Sequence, residues 1–253
     1  LNTSGNRIDS AQYTENANFW IKIIREDLDP YRLRLTNDAV LNAMGASGSL
    51  RALDAGCGEG YMSRLIAQRG AAKVVGVDLC ADLVEAAQTA AQELALPIEY
   101  HTASVTALPL ADESFDVVVC NHIVNDLERP EPAFHEFARV LVPGGRLVIM
   151  MLHPCFYSGH AERTAQAEAP RPADYFGVRI VEQQFQVAGI TSPAKVKMWF
   201  RPLEAYTTAL AEAGFSLTQL SEPHPSVEDM RDDPWWQANF KRPLFLLMVA
   251  TKQ

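Results

Sequence analysis

The stretch "LDAGCGEG", residues 53–60, decides how the rest of the chain is read. It begins as an apolar strand and dissolves into glycine, with Gly56, Gly58 and Gly60 alternating behind Asp54. Glycines at a strand end let the backbone bend with positive φ and let a ligand approach the bare chain. Upstream, "LRALDAG" reads as a short strand, and downstream "GYMSRLIAQRG" reads as a helix ending on Gly70.

The pattern continues outward from there. "AKVVGVD" is a buried strand and "CADLVEAAQTAAQELAL" a helix with Asp82 in its first turn. "PIEYHTA" and "FDVVVCN" are strands, "EPAFHEFARVLVPGG" a helix closed by a Pro-Gly-Gly turn, and "RLVIMML" a fifth strand. Strands and helices in this rhythm predict an α/β fold, a three-layer sandwich with a mostly parallel sheet. Before it, residues 19–44 read as helical, an N-terminal cap over 1–49. After the core at 50–153, residues 154–200 read as an inserted lid, with 158–174 a polar, proline-marked loop. Two strands come after that loop, "GVRIVEQQFQV" and "AKVKMWF", joined by "AGITSP". Residues 201–253 close the domain with the helix "PLEAYTTALAEAGF" and the strand "PLFLLMVAT", so one domain is expected over 1–253.

Composition narrows the function. The chain has 253 residues, 48% hydrophobic and 21% charged, and a net charge of −9, which argues against a nucleic-acid partner or attraction to anionic membranes. No apolar run is long enough to span a bilayer, and the start "LNTSGNRIDS" lacks a basic-then-apolar signal, so a cytoplasmic protein is expected. Cys57, Cys80, Cys120 and Cys155 form no CxxC pair or zinc-like spacing and read as unpaired thiols.

In an open parallel sheet, ligands sit outside the carboxyl ends of the strands where strand order reverses. Here the turn is G-x-G-x-G with Asp54 before it and Glu59 inside it. Two carboxylates repel a pyrophosphate, which disfavours a nicotinamide dinucleotide. A carboxylate suits an ammonium and the turn's N–H groups suit a carboxylate, which together describe a free amino acid. The second strand ends on Asp78, placed to accept from both hydroxyls of a ribose. A ligand with an amino-acid end and a nucleoside end is S-adenosylmethionine. Taken singly, Asp54 also reads as a turn cap and Asp78 as a strand terminator.

"LDAGCGEG", "VVGVD", "LPLADESFDVVVCNHIVNDL" and "RVLVPGGRLVIM", in this order, resemble the class I S-adenosylmethionine-dependent methyltransferases. The resemblance runs from Leu50 to about Leu152, plus the closing helix and strand. It implies a Rossmann-like, seven-stranded sheet whose last strand is antiparallel. It implies that Asp54, Gly56 and Gly58 hold the methionine end, Asp78 the ribose, and Leu79 the adenine face. The resemblance also implies that Ser104 and Val105 line the adenine pocket and that Asn121 lies beside the sulfonium. Many relatives carry Asp where this chain has Ser104; a serine hydroxyl also accepts.

Acceptor residues are sought on the loops after the fourth and fifth strands. His122 and His153 are the candidate bases, each able to titrate near neutral pH, with hydrogen bonding to backbone as the structural alternative. Asn125 and Tyr157 are candidate acceptor contacts, and Asp126 reads as a cap for the segment after it. Tyr13 and Trp20 on the N-terminal segment, and Trp199 and Arg201 in "VKMWFRP", supply lid contacts, with Tyr13 also closing over the cofactor. Met198, Phe200, Trp235 and Trp236 are further ring and thioether candidates, and His224 marks a loop or pocket rim. No N/D-P-P-Y-type motif comes after the fourth strand, and no metal-holding set of carboxylates and amide is expected. These readings favour a small-molecule, secondary-metabolite acceptor, with nitrogen ahead of oxygen because no Asp-supported histidine announces itself. The alternatives are a cofactor-binding member of the fold that catalyses a cyclisation, and a non-catalytic binding subunit. Exposed aromatics permit a homo-oligomer.

Overall fold

In the computed structural model, residues 10–46, 48–157 and 175–253 are described. The loop expected over 158–174 lies outside them. A seven-stranded sheet is built from β1 (Arg51–Ala55), β2 (Lys73–Asp78), β3 (Ile98–Thr102), β4 (Phe115–Asn121), β5 (Leu141–Leu152), β10 (Phe215–Ser221) and β11 (Phe245–Lys252), in the order β10-β11-β5-β4-β1-β2-β3. β1 pairs in parallel with β2 and β4, β2 with β3, and β4 with β5, while β11 runs antiparallel to both β5 and β10. Strand order therefore reverses between β1 and β4, and the crevice at their carboxyl ends is where a ligand belongs.

The strands are apolar on both faces because both are covered. Leu53, Ala55, Val75, Val77, Val118 and Ile149 face one layer, packed on Phe134 and Phe137 of α5 (Glu131–Val140) and Tyr206 and Leu210 of α6 (Leu203–Glu212). Ala52, Val74, Val117, Val119 and Met150 face the other, packed on Met62 and Ile66 of α3 (Tyr61–Gln68) and Val40 and Leu41 of α2 (Asn37–Ala43). α4 (Ala81–Glu93) carries Asp82 in its first turn, as expected, but the residue preceding the helix, Cys80, makes no side-chain cap.

Several boundaries differ from the sequence reading. The N-terminal helical region is two pieces: α1 (Ser10–Arg25), and a π-helical turn (Arg32–Thr36) running into α2. Between them Asp27 takes a left-handed backbone (φ 53) and Pro30 blocks continuation. Residues expected to close α5 as a turn instead begin β5 at Leu141, with a register irregularity between Phe115 and Val117 on its neighbour. The first inserted strand breaks in two. β6 (Arg179–Gln183) pairs with β9 (Val196–Phe200), while β7 (Gln186–Val187) and β8 (Ile190–Thr191) form a small hairpin turned by Ala188 and Gly189, both at positive φ. Strand β10 carries the sheet edge, with five of its residues exposed, and two short helices, α7 (Val227–Asp232) and α8 (Pro234–Asn239), lead into β11. The four cysteines are free, three of them buried. Among the described residues no helix is long and apolar enough to cross a membrane.

Candidate active site

The glycine turn is held against β2 by its own backbone. Gly56 N–H and Cys57 N–H donate to Val77 O at 2.7 and 3.0 Å, Gly58 N–H donates to Asp78 Oδ2 at 2.9 Å, and Gly60 N–H donates to Cys57 O at 2.9 Å. These four donors are spent, so they do not receive a ligand carboxylate as the sequence reading supposed. Gly56 sits at φ +77, and a Cβ there would land on the Ile123 side chain. The turn must therefore be bare at this position for two independent reasons, backbone conformation and the close approach of Ile123.

Asp54 is buried behind the turn, accepting from Ser63 Oγ at 2.6 Å, and is not part of the cavity wall. Burial pushes its carboxyl up to about 7. Glu59, fully buried, takes a two-pronged bond from Arg64 at 2.8 and 3.0 Å and lies 3.7 Å from Arg25 at the end of α1, so its charge is balanced within the protein. Asp78 accepts from Gly58 N–H and from Cys80 N–H, the latter at 2.9 Å, one bond on each oxygen. A carboxylate oxygen has room for a second bond.

A cavity of about 530 Å³ opens over this turn. Gly56, Gly58, Asp78, Asn121, His122, Asn125 and Asp126 form one side of it, and Tyr13, Trp20, Phe185, Val187, Val196 and Met198 line it from α1 and the inserted strands. α1 is fastened to the insertion by Asn16, whose Nδ2 donates to Ala194 O at 3.1 Å and whose Oδ1 accepts from Ala194 N–H at 2.9 Å. Gln12 Oε1 accepts from Lys197 N–H at 3.0 Å, and Trp20 meets Phe185 edge-on at 5.1 Å. Helix and insertion therefore make one apolar wall, which suits a pocket that excludes water. A narrow recess beside the cavity is lined by Tyr13, Gly56, Asp78, Leu79, Val105, Ile123, Asp126 and Leu127.

The structure brings most of the expected residues together, but not all. Tyr13, Gly56, Gly58, Asp78, Asn121, His122, Trp20, Asn125 and Tyr157 line the cavity, and Leu79 and Val105 line the recess. Ser104 lines neither; its hydroxyl is engaged with Thr106, 2.8 Å from Oγ1 and 3.2 Å from the amide N–H. His153 is buried away from the cavity with both ring nitrogens occupied, Nδ1 accepting from Cys155 N–H at 3.1 Å and Nε2 lying 2.8 Å from Glu222. A base needs a free nitrogen within reach of its substrate, so the geometry counts against that role. Arg201 is buried on the carbonyls of Leu127 and Glu128 and braces the loop after β4, and Trp199 lies outside the lining. Phe200 and Trp236 are core, while Met198 and Trp235 reach the cavity. Asp126 caps nothing: α5 begins without a side-chain cap, and Asp126 borders both cavity and recess.

Two cavity groups, Arg32 and Tyr61, were missed in the sequence, and two that were read there, Asn121 and Asn125, carry unpaired atoms. Arg32, from the π-helical turn, lies over the Tyr61 ring at 4.3 Å with Nη1 buried and without a hydrogen-bond partner. Tyr61 Oη accepts from Asn121 Nδ2 at 2.5 Å, which leaves Asn121 Oδ1 buried and unpaired. Asn125 Oδ1 accepts from Leu152 N–H at 2.9 Å, leaving Nδ2 unpaired. Arg32 Nη2 also lies 3.9 Å from Asp29 Oδ2, and the ring that it covers belongs to a residue distant in the chain, so no local pattern marks it as a cavity group.

Residues 53–149 match the methyltransferase domain family. A ubiquinone biosynthesis O-methyltransferase of Xanthomonas oryzae pv. oryzae is 30% identical over 178 residues, 70% of this chain and 69% of that protein. The chain belongs to the S-adenosylmethionine-dependent methyltransferases. A methyltransferase of the same description from Alkalilimnicola ehrlichii is 33% identical over 128 residues, and there the match spans only half the length of each protein. Among solved structures, an S-adenosylmethionine-dependent methyltransferase from Mesorhizobium loti has a TM-score of 0.65 at 23% identity, covering 85% of this chain and 96% of its own. The [4+2]-cyclase SpnF shares the fold with a TM-score of 0.59 at 18% identity, covering 86% of this chain and 79% of its own.

S-adenosylmethionine is the cofactor of this methyltransferase, and the residues present fit it. An unpaired guanidinium N–H on Arg32 and an unpaired carbonyl on Asn121 are the complements of an amino acid's carboxylate and ammonium. Asp78 borders both cavity and recess with acceptor capacity that would suit ribose hydroxyls, and Leu79 and Val105 would offer apolar flanks to a flat base. Among the described residues, no group of three or more His, Cys, Asp or Glu side chains is arranged to hold a metal.

The buried carboxyls make stability depend on pH. Burial also pushes Asp126 up to about 7, against an ordinary 3.8. Raised folded values mean that the native state binds more protons than the unfolded chain, so Asp54 and Asp126 stabilise at low pH and lose that contribution as pH rises through about 7. Burial lowers His122 to about 4 and also lowers His153, an opposite trend that is complete once unfolded histidine is neutral, above roughly 6.5. Thermal denaturation of the cofactor-free methyltransferase should therefore show a midpoint that falls between about pH 6.5 and 8. A midpoint that rises over this interval contradicts the burial of these two carboxyls.

Proposed function

We propose that this methyltransferase transfers the methyl group to a hydroxyl oxygen on a small aromatic acceptor held in the cavity. The observation that carries the reading is the make-up of that cavity. Trp20, Phe185, Val196, Met198, Tyr157 and Phe245 give it apolar and aromatic walls, while Asn121, His122, Asn125 and Asp126, at the end of β4 and on the loop after it, supply one polar side. A flat apolar molecule with one or two polar atoms matches that distribution. The relatives' description as ubiquinone biosynthesis O-methyltransferases supports oxygen over the nitrogen favoured from sequence, and speaks against the secondary-metabolite acceptor expected there.

The cofactor supplies a methyl group on a sulfonium, a good leaving group, so the chain's own task is mainly alignment. Holding two reactants in a near-attack arrangement is worth up to roughly 7–11 kcal/mol. Arg32 and Asn121 fix the amino-acid end, and Asp78 fixes the ribose. Asn125 Nδ2 offers a hydrogen bond to a polar atom of the acceptor, in an orientation set by Leu152 N–H. The fastened wall of α1 and the insertion keeps water from the methyl.

The test uses S-adenosylmethionine labelled with ¹³C at the methyl, offered with a panel of phenols, catechols and aromatic amines and read by NMR. A new methoxyl carbon signal, matched one-to-one by S-adenosylhomocysteine, supports the reading. An N-methyl signal, or conversion of an acceptor without S-adenosylhomocysteine, defeats it.

A further inference from the structure

Five carboxyl or imidazole groups border the cavity, and the structure commits four of them elsewhere. Asp29 Oδ1 accepts from the N–H groups of Tyr31 and Arg32 at 3.1 and 3.4 Å. Glu59 is locked to Arg64. Asp78 holds Gly58 and Cys80. His122 is kept neutral and weakly basic by burial and by Arg32. Asp126 differs from these. It ends the 3₁₀ turn Val124–Asp126, fixed by its own N–H donating to Ile123 O at 2.8 Å, and its side chain borders both the cavity and the adenine-side recess. The titratable groups facing it are Tyr13 from α1, Asp78 from the end of β2 and Cys120 from β4. No cation is among them.

We infer that Asp126 is the proton acceptor of the reaction, its carboxylate taking the acceptor's hydroxyl proton as the oxygen attacks. This rests on the hydroxyl reading above. The acceptor's oxygen gains the methyl carbon as the carbon–sulfur bond breaks, its O–H proton passes to Asp126, and S-adenosylhomocysteine leaves uncharged at sulfur. Asp126 then returns the proton to solvent. A base works best when its pKa lies near the working pH. Burial, with Asp78 adding to it, brings the Asp126 carboxyl to about 7, whereas His122 at about 4 is a poor receiver of a phenol's proton. The Tyr13 hydroxyl, buried and without a hydrogen-bond partner, is itself pushed up by burial and by Asp126, so it stays protonated near the carboxylate.

The test compares wild type with Asp126→Asn on two acceptors, catechol and 4-nitrocatechol, the second largely ionised at neutral pH. With catechol, the variant should lose about a hundredfold in kcat/KM. The wild-type profile should rise through about pH 7 and level off, and the variant should lack that limb. With 4-nitrocatechol, which needs no base, the loss should be under fivefold, and the affinity for S-adenosylhomocysteine, measured by calorimetry, should stay within threefold. Equal losses with both acceptors, or lost affinity for S-adenosylhomocysteine, overturn the role of Asp126 while leaving hydroxyl methylation standing. A wild-type protein that methylates amines and neither catechol defeats the hydroxyl reading itself.

Discussion

Gly56→Val leaves a folded protein that no longer binds S-adenosylhomocysteine at millimolar concentration, a loss of at least about a thousandfold. A β-branched residue at φ +77 costs on the order of 1–3 kcal/mol in backbone strain alone. Its Cβ also lands on Ile123, a residue that lines both cavity and recess, so relief comes only by moving that side chain into the ligand's space. The strain falls on a turn, not on the sheet, because β1 and β2 are paired through Ala55 and Val77 just before it. Circular dichroism separates the two consequences. Near-native secondary structure with no heat of binding is the expected pair of results, and micromolar binding by the variant would show that the turn does not face the cofactor.

Arg32→Met lowers the affinity for S-adenosylhomocysteine by roughly 10²–10³-fold and leaves that for 5′-methylthioadenosine within threefold. The nucleoside compound keeps the adenosine and sulfur but lacks the amino-acid end. Removing one partner of a buried, hydrogen-bonded charge pair costs about 2–5 kcal/mol, which sets the size of the first effect. The absence of a carboxylate sets the other. The geometry behind this is the buried, unpaired Nη1 of Arg32 over the ring of Tyr61, the residue directly after the last glycine of the turn. Methionine keeps much of the stem packing of arginine, so the change tests charge and not volume. Equal losses for both ligands would place Arg32 in the fold and not on the carboxylate.

How much of this was legible in the sequence divides along physical lines. Strands β1 to β5 are buried on both faces and helices α3 to α5 have one apolar side, so local periodicity carried the core of the fold. β10 escaped notice because it is an exposed edge, with Leu217 and Leu220 outside and no clean alternation. The break between β6 and β7 turns on Gln184 and Phe185. Gln184 donates to Ser192 and Pro193 carbonyls, and Phe185 N–H donates to Ser192 Oγ, contacts that no local rule announces.

The candidate site divides in the same way. Residues set by the strand ends were readable: Gly56, Gly58, Asp78 and Asn121 line the cavity where the sheet reverses. Residues whose direction depends on distant partners were not. His153 turns to Glu222 and Arg201 to the carbonyls of Leu127 and Glu128, away from the cavity. Arg32 and Asp126 turn toward it, although Arg32 sits in an unremarkable charged run and Asp126 has the sequence setting of a cap. A strand end fixes where a side chain starts; for long side chains on loops, burial and pairing across the fold decide where the charge goes.

The most direct measurement of the account is a crystal structure of the protein with S-adenosylhomocysteine. The account predicts adenine in the recess between Leu79 and Val105, ribose hydroxyls on Asp78, the carboxylate on Arg32 at about 3 Å, and sulfur facing the Asn125–Asp126 side of the cavity. A ligand with its carboxylate on the backbone of the glycine turn and out of reach of Arg32 would contradict it.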